Sequence, residues 1–108
     1  MRTYFAIGFL FLAVSAGADE TPKPDQIYAT RCALCHGAHG AGDGMAAPMI
    51  KPPPTNFTSA DYWKTSSADQ VRNAITNGKP GTAMTPFGTS LKPEEISALV
   101  DYVKKFAP

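Results

Sequence analysis

Cys32-Ala33-Leu34-Cys35-His36-Gly37 holds both cysteines of this 108-residue chain and one of its two histidines. Two thiols separated by two residues can add across the two vinyl groups of a haem. The imidazole that follows at once can ligate the iron, which makes this the c-type haem attachment pattern. The two-residue spacer sets both sulfurs on one side of a helical turn, and His36 then points at the metal from one face. Three other uses of the cysteines fit less well. A redox Cys-x-x-Cys of the thioredoxin kind needs a βαβ context. A zinc site needs more ligands at metal spacing, and a disulfide between these two would close a tiny, strained loop.

Behind the pair of cysteines stand Gly37, Gly40, Gly42, Asp43 and Gly44, and much further on comes the stretch Gly78-Lys79-Pro80-Gly81-Thr82-Ala83-Met84-Thr85-Pro86-Phe87-Gly88. With Cys32, Cys35 and His36 these features make the chain resemble a small, soluble, single-haem class I cytochrome c of the bacterial type. The resemblance covers all of the sequence from Asp19 on. It implies an all-α fold, in which N- and C-terminal helices pack across each other around one covalent haem c with long loops between them. It also implies Met84 as the sixth iron ligand, on the face opposite His36. The sequence departs from the family's commonest pattern at Thr85, since proline usually follows the methionine directly and here comes one place later, at Pro86. Further roles implied by the resemblance are a Pro48 carbonyl that accepts the free ring N–H of His36, and a Trp63 N–H or Tyr62 O–H that meets a haem carboxylate. Ordinary core packing is an equal reading for that aromatic pair. Tyr102 is the expected partner of Tyr28.

Met45 and Met49 are rival thioethers, but both lie close behind His36 in a loop expected to cover the same side as the histidine. His39, three residues after His36, is badly placed for the far face and reads as a solvated surface histidine.

The start of the chain has its own pattern. Met1 and Arg2 give a short positive start, residues 4–14 are an apolar run, and Ala16-Gly17-Ala18 supplies a small-x-small cleavage site. Residues 1–18 thus read as a secretory signal peptide and residues 19–108 as the cytochrome domain, exported to the periplasm. The apolar run is about half of the roughly 20 residues that span a bilayer, so no permanent membrane anchor is expected. Cleavage leaves 108 − 18 = 90 residues and removes one of ten basic side chains, giving nine basic against nine acidic. No basic run is present to meet phosphates, which excludes a nucleic-acid partner. A chain of this size buries only about 60 to 65% of its unfolded surface, and a covalently held haem would add the missing core.

Helices are expected at about 26–35 with Asp25 as cap, at 68–77 behind a Ser67/Gln70 capping box, and from Lys92-Pro93-Glu94-Glu95 onward. Ile96, Leu99, Val100 and Val103 form the buried stripe of the last one. Residues 37–60, with many glycines and prolines, read as loop, including a stiff Pro52-Pro53-Pro54 segment.

With both axial positions filled, the iron has no open site for a substrate and can only change oxidation state, while the soft sulfur favours Fe(II). The expected function is therefore a monomeric, non-enzymatic carrier of electrons between a redox donor protein and an acceptor. The alternatives are a haem enzyme or ligand sensor of peroxidase-like type with a labile Met84, or the haem subunit of a larger dehydrogenase. Neither a distal catalytic base nor an arginine partner is evident to favour an enzyme.

Overall fold

The first helix begins where proline costs nothing. Pro24 occupies its opening turn, where the N–H would have no partner anyway, and Asp25 lies in the same turn near the positive end of the helix dipole. A computed structural model describes residues 2–10 and 23–108. Helix α1 is Pro24–Arg31, with Lys23 rather than Asp25 in the capping position. Cys32 interrupts the helix, and α2, Ala33–His36, completes the turn that holds the second cysteine and the histidine. The single helix expected here is thus two pieces that meet at Cys32, whose N donates to Tyr28 O and whose O accepts from His36 N, each at 2.9 Å.

The loop after Gly37 contains a 3-10 turn, Ala47–Met49, and ends in α3, Ala60–Thr65, which the aromatic composition of this region had hidden. Ser59 caps α3 by accepting a hydrogen bond from Tyr62 N at 3.3 Å. Helix α4, Ala68–Asn77, starts at the anticipated capping box. Ser67 Oγ accepts from Gln70 N at 3.3 Å, and Gln70 Oε1 accepts from Ser67 N at 2.8 Å. Helix α5, Pro93–Lys104, opens with Glu95 accepting from Lys92 N at 2.9 Å and carries all four stripe residues to the interior.

Helix α5 packs against both α1 and α4. The first and last helices thereby pack together, and no strand occurs among the described residues. Where α1 meets α5, Tyr28 faces Tyr102 with ring centroids 5.2 Å apart, and Phe106 joins both rings at 5.3 and 5.5 Å. This all-helical architecture is the class I cytochrome c fold. Residues 2–10 have no regular secondary structure, and the cleavage site at 16–18 with Asp19 lies outside the described residues. No helix among the described residues is long and apolar enough to cross a membrane.

Candidate functional site

Six of the nine buried apolar side chains, Tyr28, Phe57, Val71, Ile75, Leu99 and Val103, also border a cavity of about 250 Å³. The core is therefore arranged around a space that the chain does not fill by itself. Cys32, Cys35 and His36 reach that cavity from α2 and its approach, and Met84 reaches it from a separate loop. Of the donor residues picked out in the sequence, these four share the cavity wall. Met45 and Met49 are 89% and 90% exposed and take no part in it. His39 is also exposed and away from the cavity.

His36 is positioned from two sides. Its ring stacks on Phe57 with centroids 4.8 Å apart and planes 24° apart. Its Nδ1 lies 3.1 Å from Thr55 O, and because a carbonyl oxygen only accepts, Nδ1 carries the proton and Nε2 keeps its lone pair. That is the tautomer a metal-ligating histidine needs. Burial lowers the His36 pKa, opposed by the Thr55 hydrogen bond, and so favours the neutral ring.

The carbonyl expected from Pro48 is thus supplied by Thr55. Pro48 sits exposed within the 3-10 turn, away from the cavity, whereas the proline-rich segment 52–54 runs along the cavity wall and delivers Thr55. The Trp63 assignment is corrected as well. Its Nε1–H donates to Phe57 O at 2.7 Å, and the ring packs on Tyr62 and Phe57 instead of bordering the cavity. Tyr62 does border it. Sequence reasoning missed Thr55 and Phe57 as the supports of His36, since 19 and 21 residues separate them from it and no local spacing joins them.

The loop bearing Met84 is closed onto α4 at both ends. Gly78 N donates to Ala74 O at 2.9 Å, Phe87 N to Ile75 O at 2.8 Å, and Gly88 N to Thr76 O at 3.0 Å. Inside the loop, Lys79 N donates to Met84 O at 3.1 Å. The Thr82 hydroxyl donates to Lys79 O at 2.7 Å and accepts from Met84 N at 3.2 Å. Thr85 in place of proline therefore leaves a well-tied loop.

On the other side, burial pushes the Cys32 thiol up to about 11, with Arg31 pulling it down and Cys35 adding to the rise. The donor set comprises two thiols, a neutral imidazole with Nε2 available and a thioether around an apolar space. It fits a haem c, with Cys32 and Cys35 able to hold its edge and His36 and Met84 its iron.

Comparison with known proteins agrees with this geometry. Residues 19–103 match the family model described as cytochrome C oxidase, cbb3-type, subunit III. The cbb3-type cytochrome c oxidase subunit FixP of Azorhizobium caulinodans is 32% identical over 91 residues, which are 82% of this chain but 29% of that protein. Among solved structures, the c-type cytochrome KustC0563 superposes with a TM-score of 0.69 at 28% identity, over 80% of this chain and 99% of its own. A reducing HAO-like protein complex of Kuenenia stuttgartiensis gives 0.67 at 27%, over 78% of this chain and 41% of that one. A match over most of the residues that form the helices and the cavity settles the family: this chain belongs to the cytochrome c oxidase, cbb3-type, subunit III family of c-type cytochrome domains.

Proposed function

We propose that the mature chain is a periplasmic electron carrier with one haem c, attached through Cys32 and Cys35 and ligated by His36 and Met84. The observation that carries this reading is the meeting of those four side chains, drawn from two distant segments, at a single apolar cavity. Bound there, the haem supplies one-electron chemistry between Fe(II) and Fe(III). His36 is kept in the ligating tautomer by Thr55 and held in place by Phe57. Met84 would hold the iron together with His36 and so keep exogenous ligands out, and the apolar walls would keep water away.

Mass spectrometry and a Met84→Ala variant test the proposal. The mature protein should begin at Asp19, gain the mass of one haem, and retain it through acid-acetone extraction. Ferrous wild type should bind carbon monoxide poorly near neutral pH. Met84→Ala should open the site, lose the weak near-red band of methionine ligation and lower the potential. Rapid carbon monoxide binding and peroxide turnover by the wild type would favour the haem enzyme or sensor instead. A second reading follows from FixP, of which this chain spans 29%: the same domain can serve as a fixed haem module within an oxidase complex. Recovery of the chain in a stable complex with other oxidase subunits would favour it over a free shuttle.

A further inference from the structure

His36 is held by one short piece of chain. Thr55 O takes its Nδ1–H at 3.1 Å, and two residues further on the Phe57 ring stacks on it. Pro52, Pro53 and Pro54, which lead into that piece, have no N–H with which to tie it down. It is fastened at Phe57 instead, through both backbone groups. Phe57 N donates to Gly40 O at 2.7 Å, and Phe57 O accepts from Trp63 Nε1 at 2.7 Å. Gly40 belongs to the turn that follows His36, so the first bond closes a circuit from His36 to Gly40, on to Phe57 and back to the imidazole.

The second bond comes from α3. Asn56 Oδ1 accepts from Thr58 N at 2.9 Å and from the Thr58 hydroxyl at 2.6 Å, and Asn56 O accepts from Ser59 N at 3.3 Å. This tight turn feeds the chain straight into α3, so that Trp63, six residues after Phe57, folds back onto it. Phe57 is buried and Trp63 half-buried, with the indole packed edge-on against Tyr62 at 4.9 Å between centroids.

We propose that Trp63 is a positioning residue for the haem: its indole N–H locks segment 55–57, and that segment fixes the plane of the His36 ring and tunes the potential of the iron. This inference rests on the ligation of a haem by His36 proposed above. Because Thr55 and Phe57 are only two residues apart, one clamp serves the hydrogen bond and the ring stack together, and a segment that slips loosens both. A hydrogen bond from Nδ1 raises the basicity of the ligating nitrogen, which stabilises Fe(III) more than Fe(II). Loosening it therefore raises the potential. Trp63 exerts this control from outside the cavity, which it does not border. Plain packing would need only the bulk of the indole, whereas the 2.7 Å bond makes the N–H the acting group.

Trp63 is the single tryptophan of the chain, so growing a tryptophan auxotroph on β-(3-benzothienyl)alanine replaces it alone, by a ring of nearly the same size in which sulfur stands where the N–H was. Trp63→Phe is the second variant. Both are compared with the wild type as haem-loaded proteins by two measurements. One is proton NMR of the ferric form, in which the shifts of the haem methyl groups follow the orientation of the axial ligand planes. The other is an equilibrium redox titration. In both variants the pattern of methyl shifts should change, and the Fe(III)/Fe(II) equilibrium should move roughly fivefold towards Fe(II), the scale of one hydrogen bond, or about 40 mV. Ser67→Ala, which removes the cap of α4 away from the cavity, should lower stability and move neither readout. Wild-type methyl shifts and potential in the benzothienyl protein would overturn the proposal even if Trp63→Phe altered both, since the ring and not its N–H would then be acting. A raised potential with unchanged methyl shifts and a new dependence on pH would also overturn it, and would put the Trp63 N–H on a haem carboxylate. A His36→Ala protein that keeps the wild-type low-spin spectrum would instead overturn the ligation beneath it.

Discussion

Tyr28 shows how one side chain joins the core to the cofactor segment. It is 2% exposed, and its hydroxyl donates to Gly37 O at 2.7 Å, across the turn that holds Cys32, Cys35 and His36. Burial raises its pKa, with further contributions from Cys32, Tyr102 and Asp43, so the phenol stays protonated and remains a donor. Tyr28→Phe keeps the ring contacts with Tyr102 and Phe106 but leaves the buried Gly37 carbonyl without this partner, at a cost of about 1–3 kcal/mol near neutral pH. An ordinary phenol ionises near pH 10. Below that the hydroxyl is protonated in both folded and unfolded chains, and its full contribution is present. As pH rises further the unfolded chain releases the proton while the folded one retains it, and stability falls. Denaturant unfolding of the wild type and Tyr28→Phe should therefore show a gap that is constant below about pH 10 and narrows above it. A gap that widens at higher pH would mean that the folded state accepts the phenolate.

Between elements, the loop between α4 and α5 decides whether Met84 is held in place. Gly78 ends α4 at φ +69°, and a Cβ there would come within 2.7 Å of Met84 O and 2.9 Å of Pro86 N. Gly78→Ala combines an unfavourable backbone conformation with pressure on the methionine loop itself, and should cost about 1–3 kcal/mol. The effect should fall on Met84 first: the near-red band of the ferric protein should be lost at lower temperature than in the wild type, before the helical circular dichroism changes. Simultaneous loss of both signals would show the loop and α4 to be one cooperative unit. Helix α4 was legible because its start and stop are written locally, in Ser67, Gln70 and Gly78. Helix α5 was equally plain from Pro93 and its apolar stripe. Helix α3 was not, since Phe57, Tyr62 and Trp63 announce burial without a clear period and its cap, Ser59, is followed by only six helical residues.

Across the whole molecule, the covalent motif and the methionine loop were readable because each is a short local pattern with its own chemistry. The supports of His36 were not, because Thr55 and Phe57 arrive by tertiary folding of a long, proline-rich segment whose spacing says nothing about where it lands. The same organisation makes the fold depend on what fills the cavity. Side chains from α1, α4 and α5 that form the core also face that space, among them Tyr28, Val71, Ile75, Leu99 and Val103. Without a haem each of them loses packing partners on one side, which is the condition that makes cavities costly, at about 24 cal/mol per Å³. The space of about 250 Å³ is partly open to solvent, so the roughly 6 kcal/mol that a closed void of that size would cost is an upper bound, to be set beside the entire stability of a domain this small, about 5–15 kcal/mol. The Cys32→Ala/Cys35→Ala chain, purified without haem, should accordingly show little cooperative thermal transition by circular dichroism, whereas the haem-loaded wild type melts sharply. Adding free haem should restore part of the helical signal through His36 and Met84 alone. A haem-free chain that melts as sharply and as high as the wild type would mean that the helices close over the cavity unaided, and that the core does not depend on the haem to complete it.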